Sequence, residues 1–481
     1  MSSAPATYCN PLPIPEYPRG KYTFGAHRDP ANWGWLQREP RDFRELADPS
    51  VIFQDGRWYL YPSCGMAWVS EDFVTWTHHR IEPFDFGYAP TVVAHEGRFL
   101  MTTSGGGLWQ AEHPLGPWRE LGAFRDPEGK PLERWMDPMI FADDDGRLYL
   151  YWGLGQPGIF GAELDAAQPT RLITKPRVLF SFDPAHVWER AGDHNESTYH
   201  NCNEGAWMVK VGDTYYLTYT APGTEWKTYG LGAYRAKSPL GPFVYDESNP
   251  FCAKSEGLVQ GPGHGCIVRG PGETLWAFYT LRVCYEHAFE RRIGMDPVHV
   301  HADGRLSVKV TETPQRAPGA VKQPGLGNEA GWLPVTYRRR AVASSEAPGR
   351  SPFYAVDQSM VTWWQPAVGD RAPWIEMDLG PAPFRLHALR LVWKDVGLDY
   401  EKGVGPGPFR WRLLVKTREP ESQWAVALDA SGNATDLLVD YRELPNALVA
   451  QRARIEIVGW PAGITPGLVD CALFGVAVPK K

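Results

Sequence analysis

Three acidic residues occupy equivalent places in three similar segments of the chain. Asp48 lies in Ala-Asp-Pro-Ser-Val-Ile, Asp137 in Met-Asp-Pro-Met-Ile-Phe and Glu204 in Asn-Glu-Gly-Ala-Trp-Met. Each acid precedes a short apolar stretch, a turn that contains glycine and a stretch rich in aromatic residues. If the segments repeat around a ring, the three carboxyl groups converge, and their repulsion drives their pKa values apart. Such a site would hold a proton donor beside a charged base at neutral pH.

The same pattern extends to five segments, which indicates how the acids are positioned. The glycines of the five turns are Gly56, Gly97, Gly146, Gly212 and Gly272. Spacings of about 40 to 65 residues are typical of a propeller blade with four strands. A generic antiparallel protein would explain the turn glycines but not the fixed position of the acids. We therefore predict an all-β protein with a five-bladed β-propeller over residues 1–312.

The composition and the hydrophobic pattern of the sequence change after the fifth segment. Residues 313–335 are rich in Pro and Gly without a strand pattern, so we predict a linker there. Residues 336–481 return to alternating apolar and polar positions. Their length and pattern predict an independent β-sandwich that is similar to a carbohydrate-binding module.

Composition and charge exclude several classes of protein. The 481 residues carry a net charge of -7, and the short basic run at 338–340 is too small for a nucleic-acid surface. No apolar stretch is long enough for a membrane span. The N-terminal residues lack the pattern of a signal peptide, which predicts a cytoplasmic protein, or a periplasmic or secreted one if a leader was removed. Seven cysteines without CxxC spacing predict free, mostly buried thiols. The oligomeric state stays open.

Three motifs carry a resemblance to a known family. They are Ala-Asp-Pro-Ser around Asp48, Met-Asp-Pro around Asp137 and Glu-Gly at Glu204. In order and spacing, the segment from about residue 20 to 312 resembles glycoside hydrolase family 43, the five-bladed propeller arabinofuranosidases and xylosidases. The resemblance implies that Asp48 is the general base, that Asp137 orients the acid and modulates its pKa, and that Glu204 is the general acid. The residues ahead of Asp48 (Glu-Leu-Ala) depart from the aromatic-proline pattern of the family.

The C-terminal segment resembles the discoidin, or coagulation-factor type C, sandwich. The matching positions are Ala355, Asp357, Thr362, Trp364 and the run 374–380. Modules of this kind often bind carbohydrate, but the matching residues are largely core positions. The resemblance therefore leaves sugar binding by this domain open.

The acids suit the cleavage of a glycosidic bond. That reaction needs a proton on the leaving oxygen and a nucleophile at the anomeric carbon. Glu204 would donate the proton, and Asp48 would accept one from an attacking water. A separation of about 6.5–9.5 Å between the two carboxyl groups would leave room for the water and invert the product.

Further candidate residues lie around the acids. The resemblance implies that His264, in Gly-Pro-Gly-His-Gly, contacts a metal at the propeller axis, usually calcium, often through water; a buried histidine bonded to backbone is the alternative. It also implies that Arg282 reaches sugar hydroxyls, a role for which Arg291 and Arg292 compete. The remaining predicted substrate contacts are Ala89, at the head of the second segment, His194, in a polar insertion before Glu204, and Trp33, Trp35 and Trp207. The insertion could equally be a surface loop, and the tryptophans could equally be core.

We therefore predict an inverting exo-glycosidase that hydrolyses terminal pentosides, α-L-arabinofuranosides or β-D-xylosides, of plant cell-wall oligosaccharides or polysaccharides. The exo mode follows from the long loops, which would close one end of a groove. Two alternatives stay open. One is the same fold acting on galactofuranosides or galactosides, and the other is a non-catalytic carbohydrate-binding protein.

Overall fold

The computed structural model describes residues 6–15, 44–63, 66–81, 88–132, 136–199, 202–283, 289–320, 328–399 and 402–479. Trp33 and Trp35 lie outside the described residues, as do Cys64 and Cys284. The other five cysteines are free thiols, and all but Cys202 are buried, as predicted for them. None of the helices in the described ranges is long and apolar enough to cross a membrane.

Five antiparallel sheets of four strands follow one another along the chain, after a short first strand, β1 (Thr7–Tyr8). Consecutive strands are neighbours in every sheet. The first blade contains β2 (Ser50–Gln54), β3 (Arg57–Tyr61), β4 (Met66–Ser70) and β5 (Thr77–Arg80). The second contains β6 (Tyr88–His95), β7 (Arg98–Ser104), β8 (Leu108–Ala111) and β9 (Arg119–Gly122). The third contains β10 (Met139–Ala142), β11 (Leu148–Leu154), β12 (Gly158–Leu164) and β13 (Arg177–Phe180). The fourth contains β14 (Glu204–Val211), β15 (Thr214–Ala221), β16 (Gly230–Ala236) and β17 (Val244–Tyr245). The fifth contains β18 (Gly263–Arg269), β19 (Leu275–Arg282), β20 (Arg291–Val300) and β21 (Leu306–Val308).

The first strands of the five sheets form a closed ring. The strands β2, β6, β10, β14 and β18 contact one another in that order, and β18 returns to β2. The five predicted turn glycines all have positive φ, from 57° to 83°. Glycine adopts this backbone conformation without the clash that a Cβ would cause. The predicted five-bladed propeller is confirmed.

Residues 7–10 are joined to the fifth blade. Strand β1 pairs with β22 (Gln315–Arg316), which follows the last blade. Asp296, buried in β20, accepts hydrogen bonds from the Tyr8 hydroxyl (2.9 Å) and from the Asn10 amide (3.1 Å). The Asn10 amide also donates to the Met295 carbonyl (2.9 Å). These contacts hold residues 7–10 on the last blade.

The segment predicted to be a linker without strands contains two short ones. Strand β22 lies near its beginning and β23 (Leu333–Pro334) near its end, with a 3₁₀ turn at Pro318–Ala320. Two-residue strands are too short to produce an alternating pattern, so sequence periodicity does not reveal them. Three further 3₁₀ turns lie at Val187–Glu189, Pro271–Glu273 and Pro352–Ala355.

Two antiparallel sheets follow the propeller. The remaining strands are β24 (Arg340–Ala343), β25 (Trp374–Asp378), β26 (Phe384–Val396), β27 (Arg410–Lys416), β28 (Ala425–Asp429), β29 (Val439–Ala450), β30 (Arg452–Gly459) and β31 (Thr465–Ala477). One sheet has the order β23-β31-β26-β29 and the other β24-β25-β30-β27-β28. Side chains from both sheets form one cluster that includes Trp364, Trp393 and Trp411. We refer to residues 333–479 as the C-terminal unit; its likeness to discoidin modules stays a prediction.

Buried polar contacts join the C-terminal unit to the propeller. The Arg390 side chain, which is fully buried, donates to the backbone carbonyls of Asn10 (2.6 Å) and Glu312 (2.7 Å) and pairs with Asp470 (3.0 Å). The Glu443 carboxylate accepts the backbone N–H of Thr7 at 2.8 Å. Because the buried Arg390 side chain finds partners in both parts of the chain, the two parts form a specific interface.

Candidate active site

The first strand of each blade is its inner strand. Near the beginning of four of the five inner strands, one residue adopts the same unusual backbone conformation. The residue at or just before the strand has a positive φ although it is not glycine: 52° at Asp48, 47° at Ala89, 48° at Asp137 and 28° at His264. In each case its N–H donates to a hydroxyl at or near the end of the second strand of the preceding blade. The pairs are Asp48 with Thr280, Ala89 with Ser63, Asp137 with Ser104 and His264 with Thr220, at 2.8–3.1 Å. Positive φ is costly for such residues and is often found at functional sites.

The fourth blade departs from this pattern, and the difference brings Glu204 and Asp137 together. Glu204 is the first residue of β14, and the positive φ (62°) falls on Gly205. The Gly205 N–H donates to Asp137 Oδ2 at 3.1 Å. A Cβ at this position would lie 3.0 Å from Thr220 Cγ2 and 3.2 Å from the His264 ring. A side chain at this position would crowd Thr220 and the His264 ring, and the backbone conformation also favours glycine.

Asp48 is buried and held from several sides. Its two carboxylate oxygens each accept a hydrogen bond at 3.0 Å from the Arg291 guanidinium. Oδ2 also accepts the Ser63 hydroxyl at 2.7 Å. Arg291 in turn donates to Glu45 and to the Tyr88 hydroxyl. A two-pronged guanidinium contact fixes the orientation of a carboxylate more closely than a single bond would.

His264 stands between two of the carboxylates. Its Nδ1 lies 3.3 Å from Asp48 Oδ1 and 3.5 Å from Asp137 Oδ2. No group of three or more His, Cys, Asp or Glu side chains in the described part of the chain could hold a metal ion. Calcium prefers oxygen ligands, so the described side chains do not form a calcium shell by themselves. Calcium at His264 stays a prediction.

The pKa values of Asp137 and Glu204 are both raised. Burial is the main cause for Asp137, and Asp48 adds to it, while His264 and the hydrogen bonds from Ser104 (2.9 Å) and Gly205 oppose it. Burial and the charge of Asp137 raise the pKa of Glu204 well above its usual range. The Tyr229 hydroxyl, which donates to Glu204 Oε1 at 3.0 Å, opposes this shift. Glu204 is thus suited to carry a proton at neutral pH.

Sequence comparison identifies the family. The profile described as glycosyl hydrolases family 43 matches residues 40–306, more than half of the chain. The chain belongs to this family. It is a glycoside hydrolase, so the alternative of a non-catalytic binding protein is not retained.

Several curated proteins and solved structures are similar to this family 43 chain. A β-D-galactofuranosidase of Aspergillus niger is 24% identical over 310 residues, which cover 55% of this chain and 83% of that protein. A xylan 1,3-β-xylosidase of a Vibrio species is 27% identical over 38% of this chain and 34% of its own length. An arabinoxylan arabinofuranohydrolase of Bacillus subtilis is 26% identical over 41% and 48%. Among solved structures, a thermostable family-43 glycoside hydrolase covers 57% of this chain and 96% of its own, with 25% identity and a TM-score of 0.48. The BlXynB protein of Bacillus licheniformis covers 94% and 100%, with 15% identity and a TM-score of 0.48.

The arginine that contacts Asp48 in this glycoside hydrolase is Arg291, one of the two competitors named for the role of Arg282. Arg282 ends β19 and lies further out, where its Nη1 is 3.6 Å from Asp193 Oδ1. Its charge also lowers the pKa of Glu225, which burial raises. Arg282 therefore lies beside the insertion, and its contact with sugar hydroxyls stays a prediction.

The polar insertion before Glu204 is anchored by a buried carboxylate. Glu189 is fully buried and accepts hydrogen bonds from the Tyr219 hydroxyl (2.5 Å) and the Asn203 amide (2.8 Å). His186 Nδ1 lies 3.0 Å from the same carboxylate. Asn203 directly precedes Glu204, so the insertion is tied to the strand that carries this acid. The sequence singled out the polar character of the insertion, but not the role of Glu189.

Two residues that were predicted to contact substrate, Trp207 and Ala89, are buried. Trp207 is 8% exposed, packs in the propeller core and donates from Nε1 to the Ile267 carbonyl at 3.1 Å. Its packing in the core favours the alternative that the sequence left open, and its contact with substrate stays a prediction. Ala89 is also buried, and its N–H donates to the Ser63 hydroxyl; its contact with substrate stays a prediction.

His194 lies on the surface of the insertion. It is exposed, and its backbone N–H donates to Glu196 at 2.9 Å. The neighbouring residue, Asp193, is the one that approaches Arg282 and accepts the Lys227 N–H at 2.8 Å. A contact between His194 and substrate stays a prediction.

Proposed function

We propose that this glycoside hydrolase is an inverting exo-glycosidase that releases terminal pentosides, α-L-arabinofuranosides or β-D-xylosides, from plant cell-wall oligosaccharides. The observation that carries the proposal is the pair of unlike carboxyl environments. Glu204 has a pKa raised by burial and by Asp137, whereas Asp48 is clamped by Arg291. Two carboxyl groups with different environments are the requirement for acid and base roles in one site.

In the proposed reaction, the Glu204 carboxyl donates its proton to the glycosidic oxygen as the bond to the anomeric carbon breaks. A water attacks that carbon from the opposite face and gives its proton to Asp48. Arg291 and Ser63 hold Asp48 in orientation. Asp137 raises the pKa of Glu204 and, through the Gly205 N–H, holds the beginning of β14 in place.

The choice of pentosides is supported by similarity. Xylosidases and arabinofuranohydrolases are among the relatives, while the galactofuranosidase of Aspergillus niger supports the alternative of a galactofuranoside. The exo mode is supported by the insertion, which is anchored at Glu189 and reaches Arg282 through Asp193. An ordered loop at the edge of a site can close one end of a groove.

A panel of 4-nitrophenyl glycosides tests the proposal, with α-L-arabinofuranoside, β-D-xyloside, β-D-galactofuranoside and β-D-galactoside as substrates. Proton NMR of the first sugar released identifies its anomeric configuration. We expect inversion, release from a pentoside, and loss of activity in Asp48→Asn. Asp213→Asn, an exposed acid in the turn after β14, is the matched control. Retention of configuration, or full activity of Asp48→Asn, would contradict the mechanism, and release only from a galactofuranoside would replace the substrate.

A further inference from the structure

A buried arginine links the segment that carries Asp48 to the C-terminal unit. Arg44 lies four residues before Asp48, and its side chain is 4% exposed. Its Nε lies 2.6 Å from Asp395 Oδ2 at the end of β26. Its two terminal nitrogens donate to the Asp436 carboxylate at 3.1–3.2 Å. Two carboxylates of the C-terminal unit therefore hold one cation of the propeller.

The contacts continue from Arg44 to the base through the backbone. The Arg44 carbonyl accepts a hydrogen bond from Arg292 Nη1 at 3.1 Å. The Leu46 N–H donates to the Arg291 carbonyl at 3.2 Å. Arg291 is the residue whose guanidinium clamps Asp48. Residues 44–48, which include the proposed base, are thus hydrogen-bonded to residues 291–292, which include the guanidinium that contacts this base.

The C-terminal unit holds the second of these segments as well. Lys394 Nζ lies 3.6 Å from the Glu290 carboxylate, and both side chains are at most 10% exposed. Lys394 and Asp395 are consecutive residues of β26, so a single strand contacts both Arg44 and Glu290, the residue that directly precedes Arg291. An apolar cluster lies at the same interface, in which Leu258 and Val283 of the propeller pack with residues of the C-terminal unit that include Trp363.

We infer that the C-terminal unit positions the proposed catalytic base, with Arg44 as the positioning residue and Asp395 and Asp436 as its supports. The inference rests on the proposed role of Asp48. Replacing Arg44 leaves the Asp395 and Asp436 carboxylates without this cation. Replacing Asp436 weakens the hold on both terminal nitrogens of Arg44, while Asp395 still compensates the charge. Either change allows the neighbouring chain to shift. A shift of about 1 Å in a reacting group costs about 100-fold in rate. The C-terminal unit then acts on the reaction through Arg44, whether or not it binds sugar.

Kinetics of variants in the full chain test the inference. The informative changes are Asp436→Asn, Arg44→Met and the conservative Arg44→Lys. Asp429→Asn is the control, because its partner Arg412 (3.3 Å) lies on the same C-terminal sheet and both are half exposed. We expect kcat to fall about 10- to 100-fold in Asp436→Asn and Arg44→Met, with KM little changed, because substrate contacts remain while the base moves. Arg44→Lys should recover part of the loss, and the control should match the wild type.

Hydrogen exchange gives a second readout that does not require turnover. In Asp436→Asn, backbone amides of residues 44–50 and 289–293 should exchange faster than in the wild type and in Asp429→Asn. Unchanged kcat and unchanged exchange in Asp436→Asn would overturn the inference. If the wild type releases no sugar, the proposed function is wrong, and exchange still decides whether the C-terminal unit orders this segment. If Arg44→Met does not fold, Asp436→Asn remains decisive, because that carboxylate is partly exposed.

Discussion

The hydroxyl of Tyr229 should lower the upper pH limit of the enzyme's activity. It donates to Glu204 Oε1 at 3.0 Å and thereby favours the ionised form of this carboxyl group. Tyr229→Phe removes the donor and keeps the ring, which packs against Gly263 so closely that a Cβ there would overlap it. The pKa of Glu204 should therefore rise. The proposed role of Glu204 requires its protonated form, so activity should be lost as the pH rises through its pKa. The alkaline limit of kcat/KM should therefore move upward in the variant.

The size of the effect follows from the lost bond. A hydrogen bond to a charged group contributes about 1.5–3 kcal/mol. About 1.4 kcal/mol corresponds to a factor of ten. The ratio of kcat/KM in the variant to kcat/KM in the wild type should therefore be about 10- to 100-fold larger above the alkaline limit than below it. The assay is kcat/KM from about pH 5 to about pH 10 on the substrate that the glycoside panel identifies.

The opposite shift is expected from Asp137→Asn. The negative charge of Asp137 raises the pKa of Glu204, so its removal should lower that pKa and move the alkaline limit downward. Tyr216→Phe is the control, because its hydroxyl bonds the Gly304 carbonyl (2.8 Å) and none of the three acids. A downward shift in Tyr229→Phe, or shifts of the same sign in both site variants, would refute this account of Glu204.

Three further predictions concern the acid, the fold and the insertion. Glu204→Gln should lose about 10²- to 10⁴-fold in kcat on glycosides with alkyl leaving groups but much less on 4-nitrophenyl glycosides, because nitrophenolate leaves without a proton; equal losses on both would argue against an acid role. Burial raises the pKa of Asp296 from 3.8 to about 6, although hydrogen bonds from Tyr279 (2.6 Å) and other groups oppose the shift. The protonated Asp296 carboxyl therefore contributes fully to the stability of the fold below about pH 4, and this contribution is lost as the pH rises through 6. The difference in unfolding free energy between the wild type and Asp296→Asn should therefore fall by about 3 kcal/mol between these limits, measured by urea unfolding, and a pH-independent difference would contradict it. Glu189→Gln should destabilise the insertion by about 1–3 kcal/mol, seen as faster proteolysis within residues 183–199, and an unchanged cleavage rate would show that this carboxylate does not anchor it.

Most of the propeller could be predicted from local sequence pattern. The five turn glycines recur with the blades, and alternation predicts the strands between them, because both depend only on neighbouring residues. The position of Asp48, Asp137 and Glu204 at the heads of inner strands follows from the same repeat. The short strands β22 and β23 were beyond this reasoning, since two residues carry no period.

The structure distinguishes residues for which the sequence predicted the same role. Trp207 was a candidate for sugar stacking, but it fills the propeller core. Composition predicts that tryptophans either stack on sugars or fill the core, and it does not say which face of a strand points to the neighbouring blade. Arg291 and Arg292 competed with Arg282 for the predicted sugar contact, and only the folded chain shows that Arg291 contacts Asp48.

The sequence by itself determined which residues could do chemistry and in which repeated elements they lie. The tertiary structure decided their partners. Arg291 meets Asp48 across 243 positions of sequence, and Arg44 meets Asp436 across 392. Contacts of such separation arise when the ring closes and when the C-terminal unit packs against it, and no local pattern encodes them. The orientation of the proposed base therefore depends on the closed ring and on the interface behind it, since only these bring the compensating charges within hydrogen-bonding distance.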